Sequence, residues 1–527
     1  MRPSAARPSA RSFLAIIAFL AGTAGLAPPA PGQPAEFLEP RHAAYEEIEA
    51  LAARGDLDSL RIYTRPLARI DVARALLRAR GLHPEVETEP SYARLEREFA
   101  RELADLDTTR AYPESGPLVD VGPKRTRFRL QSAAHVRSDY DETRDDAHFR
   151  FRDETAVGVR MGLQVWPGFG AYEEIAITRI RGQREWIDPL AADTDVEMAV
   201  LHAGLTARGG PVTGAIGYDY FRWGPGRRGT LLLSDNAGPM GYLHLRGDFA
   251  GRVSITTLSG ILSYEENRMF AAHRVEFAAT RWLTLGVAEA ARYSSDGPDL
   301  LYAIGLLPYS IVERIHVREA SADSIRGASR SNVMASGDLV VRVNRDLSLY
   351  GELLVDDFGT EEEQMPDRFG WTAGFRSHRP VGAGAIRFLG EYTFVRNYTY
   401  SVDYGANYEY RGKPLGYALG PDAENVWVEA AYDLTRDWQV RWTGDFTNKG
   451  EGRIGEAWTP ALGDVDNSRP MGVVERRREV WGDVRWIPRD NVDVALGLGY
   501  RSRANVDHQS GVDETAWLGR LAAELRY

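Results

Sequence analysis

The residues of this sequence best suited to chemistry lie between Tyr218 and Met240, in the run YDYFRWGPGRRGTLLLSDNAGPM. Trp223, Gly224, Pro225 and Gly226 would make a stiff turn with one aromatic face. Arg222, Arg227 and Arg228 flank it, and Ser234, Asp235 and Asn236 follow with short hydrogen-bonding side chains. That set suits a carbohydrate. A sugar ring stacks its apolar face on Trp or Tyr, its hydroxyls bridge planar polar groups, and a uronate carboxylate meets Arg through paired hydrogen bonds. The candidate polysaccharide-binding residues are therefore Arg222, Trp223, Arg227, Arg228, Asp235 and Asn236. The same residues also suit a folded-in loop whose Gly-Pro turn and Asn are only architectural.

Catalytic signatures are weaker. Ser234-Asp235-Asn236 matches one element of the penicillin-binding enzymes, but no serine stands three residues before Lys124, Lys413 or Lys449, so its partner motif is missing. Neither HExxH nor GxSxG occurs. His135, His202 and His244 read as strand side chains rather than metal ligands. The acidic runs Asp139 to Glu142 with Asp145 and Asp146, and Glu361 to Glu363, could gather a divalent cation. They lack EF-hand spacing and read as solvated loop faces. No catalytic residue, metal or cofactor is assigned, and the chain reads as a non-enzyme.

The elements that must position the candidate loop are strands. From about Thr126 the side chains alternate with a period of two, which is strand geometry. Val157, Val159, Met161 and Leu163 alternate with Gly158, Arg160 and Gln164. Leu349, Leu353 and Val355 alternate with Tyr350, Glu352 and Asp356. The last stretch sets Trp517, Gly519, Leu521, Ala523, Leu525 and Tyr527 against Leu518, Arg520, Ala522, Glu524 and Arg526. An Arg at the bilayer midplane costs roughly 2–4 kcal/mol. The charged rows must therefore face a lumen, because a one-residue slip would place them all in lipid. Short connections such as Arg208–Pro211, Ala250–Gly251 and Arg345–Asp346 alternate with long ones such as Ser294–Asn332 and Asn397–Ala423. The rhythm predicts a large antiparallel transmembrane β-barrel of about eighteen strands over residues 126–527, the closed all-strand form that leaves no edge unpaired in lipid.

Two segments precede it. Residues 1–27 read as a secretory signal, with arginines followed by an apolar run too short to span a bilayer. Residues 41–110 change to helical spacing, with stops expected at Gly55 and Gly81 and a third apolar face through Tyr92, Leu95, Phe99, Leu103 and Leu106. This small helical unit is expected in the periplasm, as a solubilising cap or as a plug across the barrel mouth.

Composition agrees. Mean hydropathy of −0.36 excludes a helical membrane protein but suits strands that give half their residues to lipid. With no cysteine, disulfide and thiolate chemistry are absent. A formal charge of −11 argues against nucleic acid as a partner.

At the candidate loop, Phe221-Arg-Trp-Gly-Pro-Gly-Arg-Arg-Gly-Thr-Leu-Leu-Leu-Ser-Asp-Asn-Ala-Gly-Pro239 resembles the WGPG…LLLS-x-NA-x-P stretch of the Wzi family of outer-membrane capsule assembly proteins. Tyr63-Thr-Arg-Pro-Leu-Ala-Arg-Ile-Asp-Val72 resembles the same family's periplasmic segment. The resemblance implies an eighteen-stranded barrel with a helical bundle. It also implies a lectin-like role in anchoring or organising capsular polysaccharide or exopolysaccharide at the cell surface. Expected partners are that polysaccharide, outer-membrane lipid and polysaccharide export machinery. Lumen-facing charges equally suit a conduit, so a porin or substrate-specific channel is the second reading.

Overall fold

The structure, a computed structural model, describes residues 35–526 except 108, 111–118, 123–126, 144–150, 167, 182–195, 296–298, 320–330, 358–364, 383, 403–404 and 490. The segment read as a signal, and the acidic residues at 145–146 and 361–363, lie outside the described residues.

Four helices form the N-terminal unit: α1 (Ala44–Arg54), α2 (Arg69–Leu82), α3 (Pro90–Glu98) and α4 (Ala100–Leu106). Gly55 ends α1 in the left-handed region (φ 87°), its N–H bonded to the Ala52 carbonyl at 2.9 Å. Gly81 does not stop α2, which runs one residue further. The third apolar face is two helices broken at Phe99 (φ −103°), whose ring lies under the Arg69 guanidinium at 4.7 Å. Helical spacing alone cannot show that break, because Leu95, Phe99 and Leu103 stay on one buried face across it.

The wall begins with β1 (Arg127–Asp141), β2 (Phe151–Trp166), β3 (Phe169–Arg181), β4 (Val196–Gly209), β5 (Val212–Asp219) and β6 (Met240–Phe249). It continues with β7 (Val253–Ser263), β8 (Arg268–Ala278), β9 (Leu283–Ser294), β10 (Asn332–Arg342), β11 (Leu347–Asp357) and β12 (Arg368–Val381). It ends with β13 (Gly384–Val395), β14 (Ala423–Asp433), β15 (Trp438–Lys449), β16 (Glu475–Arg489), β17 (Val492–Ala504) and β18 (Glu514–Arg526). These 18 strands pair antiparallel, each with its neighbour. Closure comes from β18 on β1, with Leu518 opposite Asp141 and Arg526 opposite Ala133. Asp139 and Asp141 of the first acidic run tie that seam, pairing with Arg520 at 3.2 Å and Arg501 at 3.0 Å.

The register puts the charges inside. Val157, Leu496, Leu498 and Trp517 look outward and are 58, 62, 62 and 52% exposed, whereas Ala516 and Leu518 face in and are buried. The helical unit occupies the lumen. Acidic residues of the unit meet arginines of the wall on every side. Glu46, Glu47 and Glu49 of α1 pair with Arg441 of β15, Arg387 of β13 and Arg376 of β12. Asp58 meets Arg342 at 2.6 Å, Asp71 meets Arg208 at 2.8 Å, and Glu98 meets Arg526 at 2.8 Å. The Glu47–Arg387 and Glu49–Arg376 pairs are desolvated, so they fix orientation more than they add stability, and breaking one would cost several kcal/mol, whereas the half-exposed Asp58 adds less. A polar void of about 570 Å³ remains between the unit and the β1–β4 side, lined by Glu36, Glu39, Arg129, Arg160, Glu174 and His202 among others.

Two short helices, α5 (Leu300–Ile304) and α6 (Tyr309–Glu319), occupy the connection between β9 and β10.

Candidate functional site

The 220–239 segment leaves the outer end of β5 and turns down into the barrel. There it meets the N-terminal unit. Arg222 and Trp223 pair antiparallel with Arg65 and Thr64, and the Gly224 N–H donates to the Tyr63 carbonyl at 2.8 Å. The two stretches that carry the family resemblance thus form one small sheet. The Trp223 N–H also donates to the Leu233 carbonyl at 2.9 Å, closing the segment on itself. Gly224 has φ 132°, and a side chain there would meet the Glu352 carboxylate, so the turn needs glycine.

The six candidate residues are brought together, but as interior groups. Trp223 is 1% exposed and packs with Phe221, Leu231, Leu232 and Leu233 in the main apolar cluster of the lumen. It offers no free ring face to a sugar. Arg222 pairs with Asp235 at 3.2 Å and donates to the carbonyls of Gly226 and Arg227 at 2.6 and 2.8 Å. Arg227 donates to Glu46 of α1 at 2.7 Å and to Glu429 of β14 at 3.1 Å. Arg228 meets Asp445 of β15 at 3.3 Å, over the Trp427 ring at 5.6 Å. The Asn236 side chain donates to the Pro414 carbonyl at 2.7 Å. The backbone N–H groups of Arg227 and Arg228 both donate to Glu391, at 2.5 and 2.9 Å. Ser234 is buried, and its N–H donates to the Leu415 carbonyl at 2.8 Å, so the Ser-Asp-Asn run is also structural here.

Two further layers cover this one. The 396–422 segment lays a row of tyrosines over the Leu231–Leu233 turn. Tyr400 Oη donates to the Leu231 carbonyl at 2.7 Å, Tyr408 Oη to Leu232 at 2.9 Å and Tyr410 Oη to Pro239 at 3.3 Å. The Tyr400 and Tyr408 rings stack at 5.9 Å. Gly416 sits where a Cβ would strike the Leu231 carbonyl, so its lack of a side chain sets the spacing of the two layers. Burial pushes the Tyr417 phenol above the usual range, and its hydroxyl donates to Asn425 at 3.1 Å. The outermost layer is the 450–474 segment, held by Asp422, which accepts from the N–H groups of Gly452 and Met471 at 2.9 and 3.0 Å. Asn467 donates to the Asp367 carbonyl at 2.9 Å. Its solvent side carries Arg453, Glu456, Asp464, Asp466 and Arg469, all exposed. The sequence reading missed this face and the tyrosine row. The sign of the row was Tyr398, Tyr400, Tyr408, Tyr410 and Tyr417 crowded into one long connection.

The family described as capsule assembly protein Wzi matches residues 131–518 of this sequence, most of the barrel. The chain belongs to the Wzi family. Membership places the barrel in the outer membrane, with the helical unit at its periplasmic end. Among solved structures, the Wzi of Escherichia coli, described as a carbohydrate-binding β-barrel involved in group 1 capsule assembly, is similar in fold. The match has a TM-score of 0.63 at 14% identity, over 93% of this chain and 99% of that one. Pseudomonas aeruginosa OccK1 matches at TM-score 0.43 and 11% identity, over 76% of this chain and 98% of its own. A BenF-like porin from Pseudomonas fluorescens matches at 0.43 and 7%, over the same shares. No curated protein sequence matches the chain. The Wzi-family fold here is a filled barrel with a layered outer face.

Proposed function

We propose that the protein is a non-enzymatic anchor that holds capsular polysaccharide or exopolysaccharide on the outer face of its barrel. The observation that carries the reading is the filling of the lumen from both ends. A barrel packed by α1–α4 from one side and by three loop layers from the other offers a surface rather than a route. The Wzi family's capsule role and the carbohydrate binding named for the Escherichia coli protein support the same reading. In this proposal the polymer meets Arg453, Glu456, Asp464, Asp466 and Arg469, whose charged and hydrogen-bonding groups suit hydroxyls and uronate carboxylates. Arg222, Trp223, Arg227, Arg228, Asp235 and Asn236 act from beneath, holding that surface in shape and tying it to the periplasmic helices. The polymer itself arrives through separate export machinery.

The test is binding of purified surface polysaccharide to the full chain in detergent or lipid. Arg453→Ala with Arg469→Ala should weaken binding about tenfold or more, the value of one or two charge-assisted hydrogen bonds. Unchanged binding in that double variant would remove the assignment of the outer face.

A further inference from the structure

The connection between β9 and β10 does not stand above the barrel. Its helices α5 and α6 lie against the outside of the wall. Met269 and Ala271 of β8 and Ala291 and Tyr293 of β9 are outward-facing positions, and they pack with Tyr302, Tyr309 and Val312. Ser259 Oγ of β7 donates to the Ala303 carbonyl at 3.0 Å. A Cβ on Gly305 would touch Thr257 and His273, so this turn sits directly on the wall.

The wall beneath breaks the lipid-facing rule. His273 and Glu289 are cross-strand partners on the outer face, with Nε2 and Oε2 3.4 Å apart. The hairpin covers them. Glu289 accepts the Tyr309 N–H at 2.8 Å where α6 begins, and the Tyr309 ring lies 4.5 Å from the imidazole. The opposite side of α5 and of the turn into α6 is apolar: Leu300, Ile304, Leu306 and Ile311 are 59, 51, 83 and 46% exposed, and the exposed polar groups, Ser310 and Arg314, lie on α6. A helix facing water presents polar groups on its outer side. Along α5 and the Leu306–Leu307 turn both faces are apolar, so the outer solvent there is hydrocarbon, with Arg314 of α6 placed to reach the headgroups.

Between α5 and the wall runs a groove of about 740 Å³ whose lining is apolar but for Glu173 and a few hydroxyls. Leu300 and Ala303 form its lip, and Leu205, Ile216, Leu243 and Ile261 line its floor. Tyr218, Tyr264 and Tyr293 stand at its outer end, the height at which interfacial aromatics meet lipid headgroups. The groove is continuous with the band of wall that the membrane already covers. We propose that it holds one acyl chain of an outer-membrane lipid, with the α5–α6 hairpin immersed in the leaflet as its lip. The site is independent of the glycan surface.

Two measurements on the full chain test this. The sequence contains no cysteine, so Leu306→Cys carries a single nitroxide. In phosphatidylcholine vesicles that label should relax with dissolved oxygen and resist a water-soluble nickel chelate. The reverse pattern would overturn the immersion of the hairpin. Native mass spectrometry of the chain released from the same vesicles should show one retained lipid. Ala303→Trp fills the groove from the lip, and Leu243→Trp fills it from the floor without touching the hairpin. Each should lower the lipid adduct about tenfold, the effect of losing contact with two methylenes. No adduct on the unaltered chain, equal adducts in all three proteins, or copies cross-linked through position 306 would each overturn the proposal.

Discussion

The guanidinium of Arg227, on a segment that leaves the outer end of the barrel, donates to the carboxylate of Glu46 on the first periplasmic helix at 2.7 Å. Outer loop and inner unit therefore share one ion-pair network, completed by Glu429 and Arg441 of the wall. A disturbance of either end reaches the other through this pair, beside the small sheet that Arg222 and Trp223 form with Arg65 and Thr64.

Removing one member should show this directly. Arg227→Ala leaves Glu46 and Glu429 short of a partner, and the expected loss is about 2–3 kcal/mol, below the 3–5 typical of fully buried pairs because Arg227 keeps some solvent contact. Adding Glu46→Gln should recover part of it, since contacting residues are not additive. Denaturant unfolding in detergent, with proteolysis of the helical unit as a second readout, measures both.

Acid should release the unit from the barrel. Burial would raise the Glu36 carboxyl, but the charges of Arg160, Arg129 and Arg69 outweigh it and hold the group at about 2 instead of 4.5. Glu47 and Glu98 are likewise desolvated, and Arg387 and Arg94 for the first and His42, Arg526 and Arg69 for the second pull them well below the usual carboxylate range. Folded-state values below the unfolded ones give stability that is complete above pH 4.5 and lost as the pH falls towards 2. Planar-bilayer recordings should be silent at neutral pH and show openings only in that acid window. Sustained large currents at neutral pH would restore the channel reading.

The tyrosine row should act as a clamp. Tyr400→Phe and Tyr408→Phe each leave a buried carbonyl, of Leu231 or Leu232, without its donor, at a cost of about 1–3 kcal/mol. The rings remain, so packing is preserved. Faster proteolysis within the outer layers, with the barrel's strand signal in circular dichroism unchanged, is the expected result. No change in either variant would mean that the row does not hold the layers together.

Trp223→Ala should behave as a core truncation. A residue 1% exposed leaves a cavity, and the expected loss is about 3–5 kcal/mol. Polysaccharide binding should fall together with the order of the loop, and stability measured alongside binding separates this from loss of a direct sugar contact.

Much of this was legible in the sequence. The alternation of Val157 with Arg160, or of Leu521 with Arg520, shows lipid on one side and a lumen on the other, because an Arg in lipid at those depths is costly. The helices of the N-terminal unit showed through their apolar spacing. Residue types could not show the direction in which the Trp223 loop folds. The hint was Leu231-Leu232-Leu233, a run too apolar for a water-facing loop. The outer hairpin was read as a loop. Its trace was His273 and Glu289 at positions where the alternation calls for apolar side chains, together with Asp299 capping the N–H of Leu301 at 2.8 Å. The exposed charges from Arg453 to Arg469 are ordinary loop residues by type, and only the layering beneath them marks them out.

The fraction of surface polysaccharide that stays with the cell is the most direct measure of the anchor. Cells lacking this protein should make the same total polymer and shed most of it into the medium, and restoring the full chain should return it to the surface. Arg453→Ala with Arg469→Ala should fail to restore it despite normal insertion of the barrel. Equal cell-bound polymer with and without the protein would contradict the account.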